Sequence, residues 1–135
     1  MSTAENLIAF RRYWDAQNTG NVDDADQIVT ADFTIGDQRG PEALKSLVSH
    51  NHTTFPDISW TVEEVVAEGD RIACAWRGGG TQQGEFLGVA PTGKHLTWSG
   101  MSIHYFQDGK MRDFQLAWDR LGVLEQVGAA PVPGQ

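Results

Sequence analysis

Cysteine is all but missing from this chain: Cys74 is the only one in 135 residues. An intrachain disulfide is excluded, and a lone thiol in the apolar run IACAW reads as a small packing residue. No cluster of cysteines and histidines has the spacing of a zinc site. His50 and His52 flank Asn51, but positions i and i+2 at a helix end converge poorly and a third ligand is missing, so no metal is expected. Positive charge is scarce too. Lys and Arg number 10 against 18 Asp and Glu, a net charge of −8, and the cations are scattered. A nucleic-acid partner would want a basic patch and is not expected; the acidity serves solubility. No apolar run approaches the length of a membrane span. The N-terminal stretch MSTAENLIAFRRYW lacks the basic region and apolar core of a secretory signal. These absences leave a cytoplasmic protein without a membrane partner. Gly78-Gly79-Gly80 opens no helix, and Pro91-Thr92-Gly93-Lys94 lacks the glycine spacing of a nucleotide loop. Neither a serine elbow nor a cysteine–histidine signature is visible, and no cofactor is expected.

What is present suits one globular domain over residues 1–128 with a frayed Pro/Gly tail over 129–135. Hydrophobic residues make up 40% and charged residues 21%, ordinary values. The count of five Trp is high; Trp more often packs a core, though some could line a cavity for a flat ligand. Ser2 or Thr3 caps a first helix, Glu5 sits at capping-box spacing from Ser2, and Leu7, Ile8, Phe10, Tyr13 and Trp14 recur at helical spacing until Gly20. A short helix follows over Asp23 to Thr30, then a strand over Asp32 to Ile35. A third helix starts at Gly40-Pro41, buries Ala43, Leu44, Leu47 and Val48, and ends near His50-Asn51-His52. The rest is sheet: Ser59 to Ala67 with Trp60, Val62 and Glu64 on one face, Ile72 to Gly78, then a bulge or kink at the three glycines. A loop with a short strand runs from Gly84 to Gly93. A final hairpin, Lys94 to Gln107 and Lys110 to Trp118, turns at Asp108-Gly109. Three helices followed by antiparallel strands make an α+β pattern. The strands alone fit either a curved cone or a flat two-layer sandwich.

Side chains alternate along a strand. Trp98, Gly100, Ser102, His104 and Phe106 share one face, and Asp113, Gln115, Ala117 and Asp119 share one face of the next strand. An inner surface built from Ser102, His104, Asp113, Gln115 and Asp119 would bring His104 and Asp119 to one cavity, the layout of a small acid/base enzyme. Phe114, Leu116 and Trp118 would then face outward. An apolar outer face needs a cover, and a homodimer through these residues is expected.

The segments GEFLGVAPTGK, DGK and WDRLGVLEQVG resemble the SnoaL-like polyketide cyclase family of the nuclear-transport-factor-like superfamily. Earlier stretches agree, among them DADQIVTADFTIG, PEALKSLV and FPDISWTVEEVVAEGDRIACAW, so the resemblance covers nearly the whole chain. It implies a cone-shaped α+β barrel with three N-terminal helices on a strongly curved, mainly antiparallel sheet, and a homodimer. It implies that Asp119 is the catalytic acid/base, its pKa raised in an apolar cavity, with His104 beside it to polarise a carbonyl. Tyr13 and Trp14 on the first helix, Asn51, Ser102, Asp113 and Gln115 would contact a small hydrophobic polyketide. The implied reaction is an intramolecular aldol ring closure without a cofactor. The chain departs from the family at Gln115, where many members carry Trp, and at Asp113, where Glu is frequent, which leaves the substrate open. An epoxide hydrolase, an isomerase or a cofactor-free oxygenase fits the same scaffold, as does a non-catalytic small-molecule-binding dimer.

Overall fold

The computed structural model describes residues 3–129. Ser2 of the expected capping box and the tail beyond Ala129 lie outside the described residues. The first helix, α1 (Thr3–Thr19), buries Ala9, Phe10, Tyr13, Trp14, Ala16 and Gln17 in one stripe at steps of three and four. Gly20 ends it by donating its N–H to the Ala16 carbonyl at 2.9 Å. Ile8 was expected in that stripe but is 52% exposed. The second helix, α2 (Ala25–Ile28), is one turn rather than the expected Asp23 to Thr30. Val29 is already extended and bridges Met111 instead.

Two small strands, β1 (Thr34–Ile35) and β2 (Gln38–Arg39), pair across Gly36. Helix α3 (Pro41–Thr54) runs a turn further than the sequence suggested, so His50, Asn51 and His52 are helical. It stops where the residue before Pro56 must leave helical geometry. His52 faces α1 and donates through Nε2 to the Gln17 carbonyl at 2.8 Å.

Four antiparallel strands form the main sheet in sequence order: β3 (Ser59–Glu68), β4 (Arg71–Thr81), β5 (His95–Gln107) and β6 (Lys110–Trp118). A last helix, α4 (Arg120–Gln126), closes the described chain. The architecture is α+β, with N-terminal helices packed on one face of a curved antiparallel sheet. Residues buried between the two layers include Phe33, Leu44, Ile72, Leu96 and Met111. Among the described residues no helix is long and apolar enough to cross a membrane.

Two bulges decide which side chains face the helices. On β3, Val62 pairs with Trp76 and Glu64 with Ala75, so Glu63 is the extra residue. Glu64, expected beside Trp60 and Val62, is thereby turned outward. On β6, Phe106 pairs with Met111 but Tyr105 pairs with Asp113, leaving Arg112 unpaired. A two-residue turn continued without interruption would set His104 opposite Asp113 and Ser102 opposite Gln115. The bulge slips the strand by one residue, and such a slip turns every later side chain to the other face. His104 therefore opposes Phe114, Ser102 opposes Leu116 and Gly100 opposes Trp118. The expected faces of β6 are inverted: Phe114, Leu116 and Trp118 point inward, and Asp113, Gln115 and Ala117 outward.

Of the bulge or kink expected at the three glycines of β4, no bulge is found: they keep unbroken register with β5. Their role is close approach. A Cβ on Gly78 would run into the Trp98 indole nitrogen, and one on Gly80 would lie 2.8 Å from Phe55 Cβ. Gly100 plays the same part on β5. A Cβ there would meet Trp76 Cη2 at 2.6 Å, the Ala117 carbonyl at 2.7 Å and Trp118 Cβ at 2.8 Å. Gly100→Ala should therefore cost about 1–3 kcal/mol of stability through overpacking, read as a lower urea midpoint. A loss below about 0.5 kcal/mol, the range of a neutral surface change, would mean the two indoles have room to spare.

Candidate functional site

Large rings laid on these glycines line a small, partly open cavity of about 150 Å³ between the sheet and α3. Its wall consists of Asn51, Phe55, Ile58, Trp60, Trp76, Phe86, Trp98, Leu116 and Trp118. The rings meet edge-on or tilted: Phe55 lies 4.9 Å from both Phe86 and Trp98, Trp60 lies 5.4 Å from Trp76, and Phe86 lies 5.9 Å from Trp118. Each strand contributes through its inward positions, and α3 contributes Asn51 one turn before its end. The Asn51 carboxamide is held in no hydrogen bond among the described residues. The loop carrying Phe55 and Ile58 is pinned by Asp57, whose carboxylate accepts from Thr81 N–H at 2.6 Å and Thr81 Oγ1 at 2.8 Å. These bonds stabilise the ionised form and lower the Asp57 pKa.

Below the cavity floor lies a buried polar chain. Trp76 Nε1 donates to Ser102 Oγ at 3.0 Å, and Ser102 Oγ lies 2.7 Å from His104 Nε2. Because the serine oxygen already receives the indole proton, its own hydroxyl is free to donate to Nε2. The histidine proton then sits on Nδ1, 3.4 Å from the Met111 sulfur, which can only accept. Phe10 and Tyr13 lie edge-on to the imidazole at 5.4 Å, and Phe114 stacks on it at 6.1 Å. His104 is 1% exposed, and burial pushes its pKa down to about 4.

The other expected site residues separate into three places. Ser102, Tyr13 and Trp14 surround the His104 chain. Tyr13 is buried, its hydroxyl accepts from Gln17 Nε2 at 3.2 Å, and desolvation pushes its pKa up to about 12. Trp14 backs the cavity wall, 5.7 Å from Trp60 and 6.2 Å from Trp76. Asp113 and Gln115 are on the outer sheet face, where Gln115 donates to the Tyr105 hydroxyl at 3.0 Å. Asp119 is exposed and caps α4, its Oδ1 accepting from Gly122 N–H at 2.8 Å. It lines a polar outer groove of about 460 Å³ with Arg77, His95 and the hydroxyls of Ser59, Thr61, Thr97 and Ser99. His104 and Asp119 are not brought together. Asp119 N–H bonds the Ser99 carbonyl, five residues from His104 along β5, a span of about 17 Å in an extended strand. The wall tryptophans are what sequence reasoning about the site missed; their number was the available signal. Among the described residues no three His, Cys, Asp or Glu side chains converge as a metal site.

The buried histidine has a measurable consequence. Its folded pKa of about 4 lies below the ordinary 6.5. Between those values the unfolded chain takes up a proton that the folded chain refuses, so stability falls as pH drops through this window and levels off below it. The ceiling is about 3 kcal/mol. Urea midpoints at pH 7 and pH 4.5, followed by Trp fluorescence, should differ more in the wild type than in His104→Phe. An equal difference in both proteins would show that other groups govern the acid limb.

Comparison with known proteins bears on the family and the fold. The profile of the SnoaL-like polyketide cyclase family matches residues 7–127. The chain is 33% identical to aklanonic acid methyl ester cyclase AcmA of Streptomyces galilaeus, over 93% of this chain and 92% of that protein. It is 32% identical to nogalonic acid methyl ester cyclase of Streptomyces nogalater, over 84% of this chain and 90% of that one. The structure of TsrD from Streptomyces laurentii superposes with a TM-score of 0.87 at 23% identity, covering 96% of this chain and 98% of the other, a likeness of fold. A family profile that spans residues 7–127, with identities of 32–33% to two cyclases over most of both chains, makes this chain a member of the SnoaL-like polyketide cyclase family.

Proposed function

We propose that this protein closes a ring in a flat, hydrophobic polyketide without a cofactor, by an intramolecular aldol step. The supporting observation is the cavity walled by four tryptophans and two phenylalanines. Planar faces in that number suit a fused aromatic ligand, and a lone free carboxamide, Asn51, suits one of its oxygens. Removal of a proton beside one carbonyl yields an enolate carbon, which bonds to a second carbonyl carbon. The resulting alkoxide takes the proton back, so the mass is unchanged. Asp119 is our choice for the group that moves this proton, since it follows the wall residue Trp118 and shares the outer groove with Trp98. His104 acts in this reading through Ser102 on the Trp76 wall, not on substrate.

Asp119→Asn tests the assignment cleanly, because Asn caps a helix about as well as Asp. With aklanonic acid methyl ester as the trial substrate, wild type should give an isomeric product, and the variant should turn over about 100-fold or more slowly, the scale of a lost acid/base group. Full activity of the variant would leave Asp119 as a cap only. One observation favours a second reading, a binding protein: no side chain of the cavity wall is ionisable. Tight binding by the wild type with no product would select it.

The same reading includes a homodimer, moved to the face that is actually outward. Val66 and Met101 are 67% and 66% exposed, and with Ala73, Ala75, Ile103 and Ala117 they line a mainly apolar outer groove of about 480 Å³, whose lining also includes Glu64 and Gln115. Charged residues bound it on both sides, Glu68, Arg71 and Asp113 at one end and Glu63 and Arg77 at the other. An apolar centre with a polar rim of both signs suits a second copy of itself. Met101→Glu should convert a dimer to monomer in sedimentation; a wild type already monomeric at high concentration would refute the interface.

A further inference from the structure

We propose that Gln82 is a positioning residue that unites residues 83–93 into one movable wall of the aromatic cavity, and that release of this wall widens the cavity for larger ligands. The inference rests on the reading of that cavity as the site for a flat aromatic molecule.

The cavity as it stands is small for such a molecule and partly open. It offers about 150 Å³, whereas sites for drug-sized ligands span roughly 300–1,000 Å³. Displacing a wall would enlarge it, and the walls differ in how firmly they are held. Trp60, Trp76, Trp98, Leu116 and Trp118 belong to paired strands. Phe55 and Ile58 sit on the loop that Asp57 ties to Thr81. Phe86 alone rides on the connection between β4 and β5. Among the described residues, one backbone hydrogen bond runs from residues 83–92 to a neighbouring element, from Gln83 N–H to the Thr54 carbonyl at 2.8 Å.

Within itself this connection is well ordered, and one side chain does most of the ordering. Gln82 is completely buried. Its Nε2 lies 3.0 Å from the carbonyls of Gly84 and Val89 and 3.2 Å from that of Ala90. Its Oε1 accepts from Thr92 Oγ1 at 2.7 Å and from Thr92 N–H at 3.3 Å. Phe86 and Val89 exchange two backbone hydrogen bonds across Leu87 and Gly88, both at positive φ. A loop packed on a single buried amide, and joined to its surroundings by one backbone hydrogen bond and the packing of Phe86 and Leu87, moves as a body. Phe86 is the part of that body that touches Phe55, Trp98 and Trp118.

The test uses two probes, bicyclic 1-naphthol and tricyclic 1,8-dihydroxyanthraquinone, bound to the full chain and read by quenching of Trp fluorescence, with hydrogen exchange in parallel. In Gln82→Ala the amides of Phe86, Val89 and Gly93 should exchange about tenfold faster or more, with β4 and β5 unchanged. The affinity ratio of tricycle to bicycle should rise about tenfold, because opening then draws less on binding. Phe86→Ala keeps the Gln82 hydrogen bonds, and should raise the same ratio without faster exchange in the loop. An unchanged ratio in both variants, or faster exchange spread over β4 and β5 in Gln82→Ala, would overturn the proposal. If neither probe binds the wild type, the cavity reading and the admission step both fall, while the exchange pattern still decides whether Gln82 unites the loop.

Discussion

Arg112 has no partner across the final hairpin, and the inner surface of the protein follows from that. The unpaired residue is held on the outer face, where its guanidinium lies 5.3 Å from the Tyr105 ring, with Arg71 over the same ring at 5.6 Å. Nearby, Val29 and Thr30 cover the strand edge at Met111, which also protects it from pairing with other chains. From this point onward β6 presents Phe114, Leu116 and Trp118 to the helices. Without the bulge those positions would carry Asp113, Gln115 and Ala117, and two polar groups would be buried in place of three apolar ones, at a cost in desolvation.

The aromatic wall and the buried histidine depend on each other through this register. Phe114 stacks on His104, while Leu116 and Trp118 extend the surface that Trp76 and Trp98 begin. Glycines at 78, 80 and 100 let the indoles and Phe55 lie directly on the sheet. Trp76 is oriented by Ser102, which is oriented by His104 in turn. Each donor in this chain has an acceptor, and a satisfied buried network fixes side-chain orientation more firmly than packing alone. The buried indole nitrogens of Trp14, Trp60 and Trp98 have no protein acceptor, so the polar satisfaction is concentrated at Trp76.

Much of the frame was legible from the residues. The stripe on α1, the start of α3 at Gly40-Pro41, the Asp108-Gly109 turn and the inward set of β5 all follow from local rules of spacing and turn chemistry. The errors have two causes. Helix α3 runs past His50 because the proline at 56, not the polar run before it, sets its end. Glu64 points outward because of the extra residue at Glu63, and β6 shows its other face because of the extra residue at Arg112. A bulge has no strong local signature, since almost any residue tolerates it, yet it reverses every later side chain in the strand. Choosing the polar face of β6 as the inner one compounded the error. A cavity in this fold is lined by what the core demands, and the core demanded rings.

The amino-acid sequence by itself determined the α+β class, the order of the elements and the family, because these rest on periodicity, turn residues and motifs that act over a few positions. It also determined that rings would dominate the interior, since the tryptophans have to be buried somewhere. Which rings meet around a cavity, that His104 lies sealed beneath it and that Asp119 caps a helix were decided by the tertiary structure alone. Those outcomes depend on register between strands distant in sequence, and register is set by where extra residues are accommodated when the sheet bends over its helices.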